Sequence, residues 1–468
     1  MCTFVSVSSG SRPVRSCRRM SSSRSAPMRM YGLAARLRWF AAYLAVLLLP
    51  FFLTWLILHD SHIRPGEGLA LSAGIVGFST LGVAVVLPAR LHRLVATFGI
   101  ETVLRIHRVI AMLAGVLVLL HAVVVLFVDP RGLRIFELWH TTWAARAATT
   151  STVALLLMIG LAVRRRRRQP RYEGWRLVHN ALAAVVLTTA WLHVWWLAHL
   201  VRHPLLGGWF IAMGALAAGL AVRRWIWLPL RARRNAYRVE MVRLEPGDAV
   251  TLVLRADHHR GMQFHAGQFA WIKIGSSPFV FEEHPFSVAS SAEHPERVEF
   301  TIKALGDFTE LVSAVRPGRR VFLDGPYGGF TIEGHGASEG FVMIAGGVGI
   351  TPLLSMLRTL ADRGDGRRHR LIVGARTEDR ILLSRQVDEL RGRLNLKVIE
   401  VVETPDAGWR GEVGRIDLDL LSRVLPRRAR HLEYFLCGPP TMVAGICQDL
   451  RDLGVPLRRI HTELFSSV

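Results

Sequence analysis

Residues 103–128 read VLRIHRVIAMLAGVLVLLHAVVVLFV, and residues 177–201 read LVHNALAAVVLTTAWLHVWWLAHLV. Each run is apolar and long enough to cross a bilayer, which takes roughly 20 residues. Each also carries two histidines, His107 and His121 in the first and His179 and His193 in the second, 14 positions apart in both. Fourteen steps of ~100° end ~40° short of four full turns, so the members of a pair share one helix face about 21 Å apart. Ionisable side chains inside a span are costly and mark partners or sites. A neutral imidazole from each of two facing helices suits axial ligation of haem iron, and two such pairs hold two haems one above the other. A lone intramembrane histidine is as often a packing or snorkelling residue; the repeated spacing is what favours ligation. His59, His62, His92, His140, His199 and His203 lack such counterparts, lie near span ends and read as interfacial.

Working outward, apolar stretches near 39–58, 69–88, 147–163 and 205–222 bring the number of expected spans to six. Backbone groups in lipid must be bonded internally, so these stretches are helices. The segment from Arg164 to Arg176 holds seven arginines, and Arg223, Arg224, Arg231, Arg233 and Arg234 follow the last span. The positive-inside rule puts both segments, and with them the N-terminus and everything after Arg223, on the cytoplasmic side of a membrane, expected to be a bacterial inner or plasma membrane. The third and fifth spans are then parallel, which sets His107 level with His179 and His121 level with His193. The net charge is +23, but much of the arginine sits in short runs flanking apolar stretches, a mark of membrane topology, so no nucleic-acid partner is implied. Cys2, Cys17, Cys437 and Cys447 show no paired spacing for a disulfide framework or a zinc site. Residues 1–35, rich in Ser and Arg at their start, are expected to be a disordered tail, with Met28 or Met30 as alternative starts. Residues 36–228 form the membrane domain.

Beyond it the text changes to short alternating strands, Gly-rich turns and charged helices. Residues 235–335 read as a β-barrel, with the strand Val250 to Leu254 and the motifs His284-Pro285-Phe286-Ser287, Lys303-Ala304-Leu305-Gly306-Asp307-Phe308-Thr309 and Gly325-Pro326-Tyr327-Gly328 in that order. Glycines beside a basic residue and a hydroxyl admit a pyrophosphate, and a hydroxyl such as that of Ser287 can bond a flavin ring edge. Residues 340–468 switch to a βα pattern. The strand Phe341 to Ala345 runs into Gly346-Gly347-Val348-Gly349-Ile350-Thr351-Pro352 and a helix, a turn that offers backbone N–H groups to phosphate. Two further strands end at Gly374-Ala375-Arg376-Thr377 and Cys437-Gly438-Pro439-Pro440, where open α/β sheets bind ligands.

This set resembles the ferredoxin–NADP reductase superfamily, and with the four-histidine membrane half it resembles the NADPH oxidase and ferric reductase family over about residues 36 to 468. The resemblance implies a six-span helical bundle, an FAD-binding β-barrel and an α/β NAD(P)H-binding domain. It implies that His284, Pro285, Phe286 and Ser287 hold the flavin, and that Lys303, Gly306 and Thr309 bind its diphosphate near the turn Gly325, Pro326, Tyr327 and Gly328. Gly346, Gly347, Val348, Gly349, Thr351 and Pro352 would meet the diphosphate of the nicotinamide nucleotide, and Cys437, Gly438 and Pro439 the nicotinamide. Phe465 matches the near-terminal aromatic placed over the flavin ring, although Ser466 to Val468 follow it. Ser287, Cys437 and Phe465 would flank the hydride path.

The expected function is passage of electrons from NAD(P)H through FAD and two b-type haems to an acceptor across the bilayer. Oxygen, giving superoxide, and a ferric chelate both remain open, because Val125 stands one turn beyond His121 where superoxide-forming relatives often have a further histidine. The alternative is a haem-binding subunit that serves a partner protein or quinone. Arg376 and Arg380 follow the second strand of the last domain, where an adenosine 2′-phosphate sits, and favour NADPH, while the run Arg376 to Leu383 also resembles NADH-dependent relatives, so NADH stays open as donor. Trp191 is the one aromatic residue between the two histidines of either pair, so transfer between haems is expected to be direct.

Overall fold

The computed structural model describes residues 33–58, 64–128, 141–168, 172–197, 201–304, 309, 312–426 and 429–465. Residues 1–32 of the expected tail, with Cys2 and Cys17, lie outside the described residues, as do His59, His62, His140, His199, Gly306 and Ser466 to Val468, whereas residues 33–35 begin the first helix. Six helices are long and apolar enough to span a membrane. They are α1 (Leu33–Leu58), α2 (Pro65–Val86), α4 (Ile100–Val128), α5 (Trp143–Arg168), α6 (Tyr172–Trp196) and α7 (Pro204–Val222), with a short α3 (His92–Phe98) between the second and third spans. Several run past the expected ends. Arginine and tyrosine side chains at a span terminus can extend to the polar boundary, so a charged residue lowers the apolar count without ending the helix. The sixth span continues through a π turn, Arg223–Trp227, into α8 (Leu228–Arg234). A π turn inserts one residue per turn and so changes which way the arginines that follow point.

The chain then forms two six-stranded sheets. The first is antiparallel, with β1 (Ala236–Glu245), β2 (Ala249–Ala256), β3 (Phe269–Ile274), β4 (His284–Ser287), β5 (Arg297–Lys303) and β6 (Arg320–Tyr327) in the order β4-β3-β6-β1-β2-β5. Alternating apolar residues of its strands, including Val239, Leu252, Leu254, Ile272, Phe300 and Val321, fill its interior. The second sheet is parallel in every pairing. It contains β7 (Phe341–Gly346), β8 (His369–Ala375), β9 (Leu396–Val402), β10 (Glu412–Val413), β11 (Glu433–Gly438) and β12 (Ile460–Leu464), in the order β10-β9-β8-β7-β11-β12. Strand β7 is buried and apolar throughout and β11 is buried from Tyr434 on, as expected where helices cover both faces. Those helices are α9 (Ile350–Asp362), α10 (Ser384–Arg391), α11 (Leu418–Val424) and α12 (Pro440–Asp452). The fold is therefore the membrane bundle, antiparallel sheet and parallel α/β domain that the sequence leads one to expect.

Candidate functional site

The two histidine helices are held by neighbours rather than by each other, since α4 packs along α2 and α6 along α5. Across the space between them the rings meet in two layers. The ring centroids of His107 and His179 are 6.4 Å apart, and those of His121 and His193 are 6.3 Å apart. A metal about 2 Å from each imidazole nitrogen, with each nitrogen roughly 1.1 Å from its ring centre, sets a centroid separation of about 6.2 Å. Hydrogen bonding fixes the tautomer of three of the rings. His107 Nδ1 donates to the Ala84 carbonyl at 2.9 Å, His121 Nδ1 to Ala70 at 2.7 Å and His193 Nδ1 to Ala144 at 2.9 Å. In each of these the Nε2 lone pair is left for a ligand, the usual arrangement of metal-binding imidazoles. The Nδ1 of His179 has no hydrogen-bond partner among the described residues, and its ring stacks on Trp175 at 5.0 Å. Gly74 makes room for one layer, because a Cβ there would lie 2.8 Å from His121 Nδ1. These residues fit two bis-histidine haems.

Between the layers lies an apolar cluster of Leu81, Ala114, Ala154, Leu155 and Val186. Trp191 is not in that gap. Its Nε1 donates to the Phe210 carbonyl of α7 at 3.2 Å, and its ring sits against Gly214 and stacks on Trp195 at 5.1 Å.

The flavin motif is fixed from below by the membrane domain. Strand β4 pairs with β3 so that Ser287 lies opposite Phe269, Phe286 opposite Ala270 and His284 opposite Ile272. Just before it, Glu283 is 1 % exposed in its side chain and receives Arg90 at 2.7 Å, Arg176 at 3.2 Å and Lys273 at 3.6 Å, together with Arg224. Arg90, in the loop after α2, also reaches Asp324 at 2.9 Å and lies 3.4 Å over the Trp271 ring. Burial alone would raise the Glu283 pKa, but Arg90, Arg224, Lys273 and Arg176 outweigh it and hold the carboxyl down at about 2. Arg223 and Arg224 stand at the start of the π turn, Arg223 donating to the Ala89 carbonyl at 2.7 Å. Next along the chain, His92 Nδ1 donates to the Pro326 carbonyl at 3.0 Å, and Val95 packs with Phe269, Trp271 and Tyr327. Gly329 must be glycine-sized because a Cβ would collide with the Ala96 carbonyl of α3. The buried Tyr327 hydroxyl donates to Asp324 at 2.8 Å. On the other flank, His284 faces Glu173 at the start of α6, 3.4 Å away. Lys303 ends β5 half-buried, and Thr309 falls within the described residues.

The nucleotide motifs meet at the carboxyl ends of β7 and β11. Gly347 has φ +55 and open space where a Cβ would point, whereas Gly346 and Gly349 press against Met442 and the Cys437 carbonyl. One glycine thus leaves a hollow at the start of α9 and the other two close the strand ends together, which suits a diphosphate on the helix N-terminus. Val348 is half-buried, and the Thr351 hydroxyl donates to its carbonyl at 2.8 Å next to the buried Pro352. Helix α9 also fixes the barrel: Ser355 donates to the Ser290 carbonyl at 2.7 Å and Arg358 to that of Ala289 at 3.1 Å, just past Ser287. The two cofactor motifs are thereby set side by side. Arg376 and Arg380 stand exposed at the end of β8.

The ladder of β12 on β11 extends one step, Phe465 N–H donating to the Gly438 carbonyl at 3.1 Å, and the half-buried Phe465 ring packs against the apolar cluster of α9 and β11. The Cys437 side chain lies in that cluster, its thiol pushed up by burial and then by Glu463. Glu463, on the same face of β12, is pushed up to about 7 by burial and then by Glu101 at the start of α4. Sequence reasoning had not singled out Arg90, Glu283, Asp324, Lys273 or Glu463, and had read His92 as interfacial. The one local signal was the Arg90-Leu91-His92 triplet interrupting two apolar spans.

Comparison with known proteins gives three matches in chain order. Residues 73–190 match the ferric reductase like transmembrane component family, 234–331 an FAD-binding domain and 343–448 the oxidoreductase NAD-binding domain. Curated relatives include the reductase component of propane 2-monooxygenase from Rhodococcus jostii, 34 % identical over 242 residues, which are 49 % of this chain and 64 % of the relative. The same component from Mycolicibacterium goodii is 31 % identical over 49 % of this chain and 68 % of its own length. NADH-cytochrome b5 reductase 1 of Pyricularia oryzae is 30 % identical over 39 % of this chain and 62 % of its own. The chain therefore spans just under two thirds of the Rhodococcus and Pyricularia relatives. Among solved structures, the ferredoxin reductase in carbazole 1,9a-dioxygenase overlaps 50 % of this chain and 69 % of its own at 27 % identity and a TM-score of 0.44. The FAD- and NAD-binding modules make the chain an NAD(P)H-dependent oxidoreductase, and the first module places it in a membrane.

Proposed function

We propose that this chain, which belongs to the NADPH oxidase and ferric reductase family by its three modules in order, carries electrons from cytoplasmic NADPH through FAD and two b-type haems to a small acceptor across the membrane. The observation that carries the reading is the pair of histidine layers at 6.4 and 6.3 Å, with three Nδ1 atoms tied to carbonyls. When bound, FAD takes a hydride and releases electrons singly, and haem iron passes them on one at a time. The residues of the chain bind, orient and exclude. His284 to Ser287 hold the flavin, the buried Ser287 hydroxyl bonding its ring edge, while Lys303, Gly306 and Thr309 bind its diphosphate beside the Gly325 to Gly328 turn. Gly346 to Pro352 receive the diphosphate of the nicotinamide nucleotide, and Cys437, Gly438 and Pro439 line the nicotinamide. Phe465 covers the flavin face and yields to the nicotinamide ring. The exposed guanidinium groups of Arg376 and Arg380 suit a 2′-phosphate, which favours NADPH as donor.

His107 and His179 form the layer next to the reductase half, and His121 and His193 the far layer. The apolar cluster between the layers keeps water out of the path. Oxygen and a ferric chelate are the proposed acceptors. The test is oxidation of NADPH by the purified protein in lipid nanodiscs with oxygen, a ferric chelate and a quinone compared, each with and without superoxide dismutase. Haem bands that NADPH and NADH leave unreduced would overturn the reading.

A further inference from the structure

Away from the flavin and nucleotide motifs, at the amino end of the parallel sheet, three donor side chains from three separate segments converge. Glu433 opens β11, His461 is the second residue of the edge strand β12, and His335 lies in the segment that links the barrel to β7. Their ligand atoms all lie within 4.8 Å of one another. Glu433 Oε2 is 2.8 Å from His461 Nε2 and 3.5 Å from His335 Nδ1. Donors about 2.0–2.2 Å from a tetrahedral metal stand roughly 3.3–3.5 Å apart. The second distance already matches, and the first needs to open by about half an ångström, which a side-chain rotation supplies.

The surroundings hold these donors in place. Arg459 Nη1 donates to Glu433 Oε1 at 3.2 Å and to the His431 carbonyl at 2.6 Å, which fixes the carboxylate with Oε2 turned to the imidazoles. Phe435 stacks on the His461 ring at 4.8 Å and meets His335 edge-on at 5.8 Å. The His335 carbonyl accepts from Arg367 at 3.3 Å, tying the linker to the sheet. The three side chains are 12 to 18 % exposed, which leaves one open side for a water. Two imidazoles and a carboxylate with a fourth open position are a donor set for zinc or a related first-row divalent ion.

We propose that His335, Glu433 and His461 form a structural divalent-metal site, of the zinc type, that clips the interdomain linker to the edge strand carrying Phe465. An edge strand is bonded on one side only and is the most easily opened part of a sheet. His461 shares a face with Glu463 and stands four residues before Phe465, about 13 Å along the strand. Metal at its base therefore reduces opening of the strand that holds the flavin-facing aromatic.

The test uses untagged, full-length protein in nanodiscs, stripped with a chelator and titrated with zinc and with cobalt. One zinc per chain, in addition to any haem iron, and a cobalt spectrum of tetrahedral intensity without thiolate charge transfer are expected. His335→Ala and His461→Ala each weaken zinc binding about 100-fold or more, and Glu433→Gln weakens it at least tenfold. In the unaltered chain, zinc slows hydrogen exchange of residues 460–465, a readout that does not depend on the variants folding. Equal zinc content in the wild type and the two histidine variants, or no slowing of exchange on zinc addition, overturns the site and leaves a hydrogen-bonded cluster only.

Discussion

The histidine layers and the Glu283 seam both place polar groups away from water, and they do it in opposite ways. In the layers three of the four rings carry one hydrogen bond each, and their remaining ring nitrogens face a partner helix. At the seam a single carboxylate is surrounded by Arg90, Arg176, Arg224 and Lys273, and Asp324 takes what Arg90 has left. A neutral group with one satisfied atom keeps a valence free for chemistry. A charge network uses its capacity in holding together the parts that meet there, here the loops of the bundle and two strands of the barrel. The first pattern is expected of a binding site and the second of a joint, and the two give way differently when a residue is removed.

The largest effect is all or none. In the proposed function His193 would hold the far haem, so His193→Ala is expected to lower haem content from about two to one per chain. Flavin reduction by NADPH continues. Haem and flavin quantitation with stopped-flow spectra checks both halves of this. Retention of two haems would place the ligand elsewhere, and loss of flavin reduction would break the distinction between site and joint.

At the joint, Glu283→Gln removes the carboxylate that four cations share and leaves Asp324 to Arg90, and breaking a buried pair costs about 3–5 kcal/mol. The expected result is undocking: NADPH still reduces the flavin, but transfer to the near haem slows by about two orders of magnitude or more. A companion Glu283→Met, Arg90→Met chain regains part of the loss, because a carboxylate and one cation leave together. The same joint has a pH dependence of known sign. The carboxyl of Glu283 is held at about 2 against an ordinary value of 4.5, so its contribution is complete above 4.5 and is lost as pH falls from there towards 2. Flavin-to-haem rates in acid, compared between wild type and Glu283→Gln, measure it; parallel profiles would mean that another group sets the joint.

The same contrast explains what could be read from sequence. The histidine layers follow from spacing alone, since four positions on two straight helices fix both height and facing. The strands Phe341 to Ala345 and Leu371 to Val373 were legible because the core of a buried parallel strand is apolar; the first gained one residue and the second two at each end. The seam was illegible. Arg90 and Glu283 are separated by 193 positions, and the Arg90-Leu91-His92 triplet between two apolar spans marks a break without indicating the partner. Arg223 and Arg224 open a π turn, and no residue in Arg223–Trp227 is a strong sequence marker for one. The bond made by His92 was illegible for the same reason: its partner is a backbone carbonyl that any residue would supply.

A smaller effect is expected at the nucleotide. A charge-assisted bond to phosphate is worth about 1.5–3 kcal/mol, so Arg376→Ala is expected to raise the Michaelis constant for NADPH by roughly 10- to 100-fold and to leave that for NADH within a few-fold. Steady-state kinetics with both nucleotides decide it. Equal changes would show that Arg376 supports the loop, whose backbone carbonyl accepts from Thr404 at 2.9 Å, and does not read the 2′-phosphate.

The smallest expected effect is at Phe465, and it tests whether the reductase half contains a site of the neutral, displaceable kind seen in the bundle. Its backbone is fixed by the bond to Gly438, but its ring is only half-buried, against the cluster that also holds Cys437. A ring so placed can leave when a nicotinamide enters, at a cost of the order of an aromatic contact, about 0.5–1.5 kcal/mol. Phe465→Ala removes that competitor. Nicotinamide is then expected to dwell about 2- to 10-fold longer on the flavin, hydride-transfer kinetics to change, and both haem spectra to stay as they are. With the face uncovered, water and oxygen reach the reduced flavin, so NADPH-driven oxygen consumption that bypasses the haems rises. Stopped-flow flavin reduction and oxygen uptake in a His193→Ala background separate this leak from the normal path. If both are unchanged, Phe465 is part of the packing of α9 and β11, and the reductase half holds its cofactors by rigid turns alone.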